Sequence, residues 1–173
     1  MTCIIALRND GKVHMGADHA ISNSFGGVHL NGEKLKRFPS GVVVGFSGAL
    51  ALQNSIEEVL IKPETGFTTI DISTDDGSLL DVFNLLKETA SSTGNGELLL
   101  AQNTTIVYMG NIAGWHRVKA EFHCIGNGAP VALGAMHVLS KCSPRRRIER
   151  SIEAAATHIM GVGVAKKCDY VEV

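Results

Sequence analysis

Short apolar blocks separated by polar turns dominate the first third of the chain. The first begins almost at once: Cys3-Ile4-Ile5-Ala6-Leu7 follows Met1-Thr2 directly. Chain ends are usually frayed and polar, so ordered structure is expected here from the terminus itself. Residues 2–8 read as a buried strand rich in β-branched side chains. Asn9-Asp10-Gly11 predicts a hairpin turn, because all three residues tolerate positive φ. Lys12 to Ala17 then alternates polar and apolar until it meets Asp18. Residues 20–31, with Ser, Asn and two adjacent glycines, predict a short strand pair joined irregularly. Glu33 to Phe38 is a short strand, Pro39-Ser40-Gly41 a second turn, and Gly41 to Phe46 (GVVVGF) the most apolar strand of the chain.

The hydrophobic period then lengthens. Ala49, Leu52, Ile56, Val59 and Leu60 recur every three or four residues after Gly48, which predicts a helix. Residues 62–77 are a polar loop or an edge strand. A second helix runs through Leu79, Leu80, Val82, Phe83, Leu86 and Ala90, capped near Asp76 or Ser78. After a turn at Ser91 to Gly96, strands are expected at 97–101, 104–109 and 117–125. Gly126-Asn127-Gly128 leads to Pro130, a favoured first-turn residue, and to a helix over 130–141 that stops before Pro144. A helix at 146–159 and a strand from Cys168 to Val173 complete the order. Strands and helices come in runs and do not alternate singly, which disfavours a doubly wound parallel sheet. The expectation is an α+β fold with two antiparallel sheets sandwiched between helical layers. No linker, repeat or low-complexity segment divides residues 1–173, so one domain is expected.

Composition narrows the function classes. Sixteen basic residues stand against 17 acidic ones, which gives no reason to expect nucleic acid or an anionic membrane as a partner. The one basic cluster, Arg145-Arg146-Arg147, has Glu149 and Glu153 at helical spacing and reads as a solvated helix start. Cys3, Cys124, Cys142 and Cys168 are scattered without metal-ligand or disulfide spacing, and the seven histidines form no ligand motif. Cys3 reads as a core residue, and His14, His123 and His137 as satisfied or exposed side chains. There is no signal-peptide pattern and no apolar run near the ~20 residues that span a bilayer, so a cytoplasmic protein is expected.

Three polar residues break the apolar pattern where the predicted strands start or end: Thr2, Asp18 and Lys34. A tight hairpin returns the end of the second strand to the start of the first, so Asp18 should lie near Thr2. A threonine hydroxyl is a weak nucleophile until a base takes its proton. If Met1 is removed, the α-amine of Thr2, with an ordinary pKa of about 7.7–8.0, can serve as that base, through a water. Lys34 would favour the alkoxide and lower the amine pKa, and Asp18 would hold Lys34 charged and oriented. Backbone N–H groups of the glycine-rich turn after GVVV, at Gly45 and onward, could form an oxyanion hole.

The segments MTCIIALRNDGKVHMGADHA, GEKLKRF and GVVVGFSGAL together resemble the N-terminal half of a proteasome β-type subunit, and most closely the bacterial HslV-type peptidase. The likeness covers residues 2 to about 60 and resumes at IGNGAPVALGAM; between them only the order of elements matches. The resemblance implies an N-terminal nucleophile hydrolase fold, a four-layer αββα sandwich. It implies Thr2 as nucleophile and base, Asp18 and Lys34 as the charged pair, and Gly45 as oxyanion donor. It also implies a homo-oligomeric ring, hexameric or heptameric and stacked in a double ring, that cleaves protein substrates inside a chamber fed by an ATPase unfoldase. No cofactor is implied; a structural monovalent or divalent cation stays open. Two positions depart from the family pattern. Asn127 stands where a serine is expected, and an amide cannot relay a proton as a hydroxyl does. His158 stands where a carboxylate is expected in the last helix.

Two other functions fit the same residues. One is an amidohydrolase of the same fold acting on small amides, although such chains are usually longer. The other is a ring-forming structural subunit with weak or absent activity, which Asn127 and His158 would permit. A nucleotide site at GNGAP is disfavoured, since the glycine spacing and βαβ setting are missing.

Overall fold

The N-terminal hairpin forms in the register its apolar pattern demands. β1 (Ile4–Asn9) pairs antiparallel with β2 (Lys12–Ala17), Ile4 opposite Ala17 and Asn9 opposite Lys12. Asp10 and Gly11 take the positive φ of the turn. The computed structural model describes residues 1–22, 28–62, 67–164 and 167–173. Among these, β3 (Ala20–Ser22) and β4 (Val28–Leu30) form the expected strand pair; the connection between them lies outside the described residues, as do residues 63–66 of the expected loop.

The remaining elements follow in the order β5 (Leu35–Arg37), β6 (Val43–Ser47), α1 (Leu50–Leu60), α2 (Asp76–Thr93), β7 (Glu97–Gln102), β8 (Thr105–Gly110), β9 (Gly114–Arg117), β10 (Phe122–Ile125), α3 (Ala129–Val138), α4 (Pro144–His158) and β11 (Asp169–Glu172). They build a four-stranded sheet ordered β10-β1-β2-β11 and a five-stranded sheet ordered β5-β6-β7-β8-β9, all pairs antiparallel.

Strand alternation decides how these pieces stack. On β1, Ile4 and Ala6 point between the sheets, where they meet Val43, Leu99, Ala101 and Ile106 of the second sheet. Ile5 and Leu7 point the other way, with Cys3, onto Ile148, Ile152 and Ala155 of α4 and Ala132 and Met136 of α3. On the outer face of the second sheet, Val44, Phe46, Leu98 and Leu100 pack against Leu52 and Ile56 of α1 and Leu79 and Leu86 of α2. The result is the expected four-layer αββα sandwich.

Four details depart from the sequence reading. Of the single strand expected at 117–125, only Phe122–Ile125 forms one (β10); Arg117 ends β9 of the other sheet, and the chain crosses between sheets at Val118–Glu121. Arg8 fastens that crossing by donating to the carbonyls of Val118, Ala120 and Thr104. The cap of α2 is Asp75, whose carboxylate accepts from the Ser78 backbone (2.9 Å) and hydroxyl (2.6 Å), so the helix starts at Asp76. α3 ends at Val138, three residues short of the expectation. Arg145 is solvated and pairs with Glu149, but Arg147 is buried: it donates to the Met136 carbonyl and to Glu121 and stacks on Phe122. Its guanidinium ties α4 to α3 and to the sheet crossing, a role the charge run does not announce.

Between the two sheets, Gly45 of β6 faces Ile4 of β1. A Cβ at residue 45 would sit 2.8 Å from Ile4 Cγ2 and 3.3 Å from Leu35 Cδ2. Gly45→Ala is therefore expected to lower stability by about 1–3 kcal/mol through overpacking, read as a reduced urea midpoint; an unchanged midpoint would show that the sheets have slack there.

Candidate active site

Asp18 follows the last residue of β2, and its carboxylate is buried completely among four donors. Oδ1 accepts from the Cys3 N–H (2.8 Å) and Lys34 Nζ (2.7 Å); Oδ2 accepts from the N–H groups of Ala20 and Gly163 (3.1 Å each). The Asp18 N–H in turn donates to the Cys3 carbonyl at 3.1 Å. A carboxylate placed one residue past a hairpin strand thus clamps the strand that begins the chain. Lys34, immediately before β5, is 5% exposed. Its ammonium meets Asp18 and, at 3.1 Å, the carbonyl oxygen of Met1. That carbonyl belongs to the Met1–Thr2 peptide bond, so Lys34 stands beside the nitrogen of Thr2. Burial pulls the Lys34 pKa below its ordinary value, and Asp18 opposes that fall.

Thr2 itself is 5% exposed, beneath Met1. Its carbonyl accepts the Gly128 N–H at 2.9 Å. A side chain on Gly126, which has φ +85°, would run into that same carbonyl, and one on Gly128 into Cys3, so both positions must be glycine to hold the first strand. The terminal amine, at present that of Met1, is held below 8.0 by burial and then by Lys34. The neighbouring Cys3 thiol is pushed far above its usual range by burial, which leaves it inert as a nucleophile.

Two hollows open beside Thr2. The larger, about 390 Å3, is lined by Thr2, Ser47, Gly48, Glu97, Tyr108 and Asn127 among others. The smaller, about 180 Å3, is lined by Thr2, Lys34, Glu33, Gly48, Phe46 and Gln53 among others. The structure therefore brings together four of the five sequence candidates: Thr2, Asp18, Lys34 and Asn127. The fifth, Gly45, does not reach the site. It lies inside β6 between Leu35 of β5 and Leu99 of β7, where backbone groups serve the ladder, and it lines neither hollow. Gly48, three residues on and past the last ladder residue, lines both. The signal for it was available: in GFSGAL the second glycine is the one that directly precedes the helical period. Ser47, Glu97 and Tyr108 were missed, and nothing in their local sequence marks them. His158 ends α4, is exposed, and lines neither hollow. Among the described residues, no three His, Cys, Asp or Glu side chains gather as a metal site, and no helix is long and apolar enough to cross a membrane.

This layering, with a threonine at the start of the inner strand, is the proteasome-like N-terminal nucleophile hydrolase fold. Solved structures share it across almost the whole chain. BPH of Thiobacillus denitrificans, determined in complex with epoxomicin, superposes with a TM-score of 0.76 at 16% identity, covering 99% of this chain and 97% of its own. HslV of Trypanosoma brucei gives 0.74 at 17% identity, with 98% of each chain covered. Anbu, an ancestral beta-subunit, from Yersinia bercovieri gives 0.72 at 17% identity, covering 99% of this chain and 81% of its own. No protein-family model and no curated protein matches the sequence.

Removing one member of a buried ion pair strands the other charge. Asp18→Ala is expected to cost about 3–5 kcal/mol, and Asp18→Asn combined with Lys34→Met to cost less than Asp18→Ala alone. Denaturant titration of the three proteins checks this; equal losses would mean that the two charges are not coupled.

Proposed function

We propose that the protein is a threonine-type peptidase whose nucleophile is Thr2 after removal of Met1. The observation that carries this reading is the position of Lys34: its ammonium, oriented by Asp18, touches the Met1–Thr2 peptide group and so stands beside the nitrogen that becomes the terminal amine. A neighbouring cation lowers the pKa of that amine, so that it is neutral at working pH and can accept a proton. In the proposed reaction the amine takes the Thr2 hydroxyl proton through a water, and the oxygen attacks the substrate carbonyl. Gly48, in place of Gly45, supplies the N–H for the tetrahedral oxyanion. Collapse breaks the C–N bond and hands the proton to the leaving amine, leaving an ester on Thr2 that a second water hydrolyses. Asn127, which lines the larger hollow, can donate or accept a hydrogen bond to substrate but does not relay a proton.

The fold-level likeness supports a further part of the proposal, assembly of a homo-oligomeric ring; delivery of substrates by an ATPase unfoldase is proposed with it. Leu133 and Val138 on α3 expose apolar surface that a neighbouring copy would cover.

Intact-mass analysis tests the chemistry. The expected result is loss of Met1 and a single adduct on Thr2 after treatment with a peptide epoxyketone, with Thr2→Ala reducing peptide cleavage on the order of 10³-fold or more. A processed protein that forms no adduct and cleaves nothing overturns the proposal and leaves the structural-subunit alternative. Hydrolysis of small acyl amides but not of peptides would point to the amidohydrolase.

A further inference from the structure

The two hollows beside Thr2 differ in charge. The smaller holds Glu33 and Lys34 together, and so carries both signs. In the larger, the one charged side chain among the lining residues is Glu97. Glu97 is the first residue of β7, opposite Ser47 of β6 and Gly110 of β8. Its Oε1 accepts the Tyr108 hydroxyl at 3.1 Å and its Oε2 the Gly126 N–H at 3.0 Å. Both donors are neutral: burial, reinforced by Glu97, pushes the Tyr108 phenol up to about 12. His123 packs edge-on against the Tyr108 ring, and burial, with His116 adding, holds the His123 pKa below its ordinary value. Among the described residues no cation is paired with Glu97. The carboxylate is therefore held rigidly, its hydrogen bonds leave its charge uncompensated, and it faces a cavity that shares a wall with the proposed nucleophile. An aliphatic side chain entering that cavity would strip water from the carboxylate without replacing it, whereas an ammonium or guanidinium would satisfy it.

We propose that the larger hollow is the subsite for a lysine or arginine side chain of the peptide substrate, with Glu97 as the residue that selects it; this rests on the peptidase reading above. The hollow adjoins Thr2, so the selected residue is one of those flanking the scissile bond. Met1 also lines the hollow, and its removal opens the approach.

Binding to Met1-free Thr2→Ala protein tests the subsite without needing turnover. The probes are end-blocked peptides that carry lysine, norleucine or glutamate at each position flanking the expected cut. At one position lysine should bind about tenfold more tightly than norleucine, and glutamate more weakly than both, as expected for a charge-assisted contact. The lysine advantage should shrink in high salt and disappear in the Glu97→Gln background. Norleucine binding as well as lysine at every position overturns the subsite, even if the epoxyketone labels Thr2 in wild-type protein. The order lysine, norleucine, glutamate without any Thr2 labelling would uphold the cation site and remove the peptidase reading.

Discussion

Everything at the proposed site is arranged around one buried ion pair. Asp18 and Lys34 lie 2.7 Å apart with almost no exposure, and the carboxylate spends its other lone pairs on backbone N–H groups of Cys3, Ala20 and Gly163. Those three groups come from the residue that leads into β1, the start of the β3 ribbon and the segment after the last helix. A single side chain thus pins three parts of the chain to one point. Burying two charges is costly, and a well-packed apolar pair would often give as stable a protein. What an apolar pair could not give is a fixed ammonium beside the nitrogen of Thr2, and that is where the ion pair acquires chemical meaning.

Around it, the two sheets contribute unequal parts. The first sheet carries Thr2 and Asp18, and its β10–α3 turn grips the Thr2 carbonyl through Gly128. The second sheet carries Glu97, which accepts the Gly126 N–H and so braces that same turn, and Tyr108, whose hydroxyl donates to Glu97. Met1 covers the assembly, with its side chain packed on Gly161 and its carbonyl held by Lys34. The Thr2 backbone is therefore fixed with Met1 still in place, the preorganisation that the proposed chemistry would need.

The fold was largely legible in the sequence because strand and helix periods are local signals. The hairpin, the GVVVGF strand, the four helices and their segregated order all follow from them. The errors fell where local pattern is silent. The alternating stretch at 117–125 cannot reveal that the chain changes sheets within it, since the alternation continues through the crossing at Val118–Glu121. The burial of Arg147 depends on Met136 and Glu121, which belong to other elements. At the site, Thr2, Asp18 and Lys34 were readable as polar breaks in apolar strands. Gly45 was chosen over Gly48 because both sit in one glycine-rich stretch, and only the ladder shows which of them is tied into the sheet. Glu97 and Tyr108 are ordinary strand residues until the β10–α3 turn is laid against them.

In the proposed chemistry everything turns on Lys34 depressing the basicity of the Thr2 amine. The most direct test is an NMR titration of that α-amine in Met1-free protein, repeated in Lys34→Met. The account predicts a pKa below 8.0, the ordinary value for a chain terminus, and a rise when the ammonium is removed. An amine that titrates at its ordinary value in both proteins would contradict it.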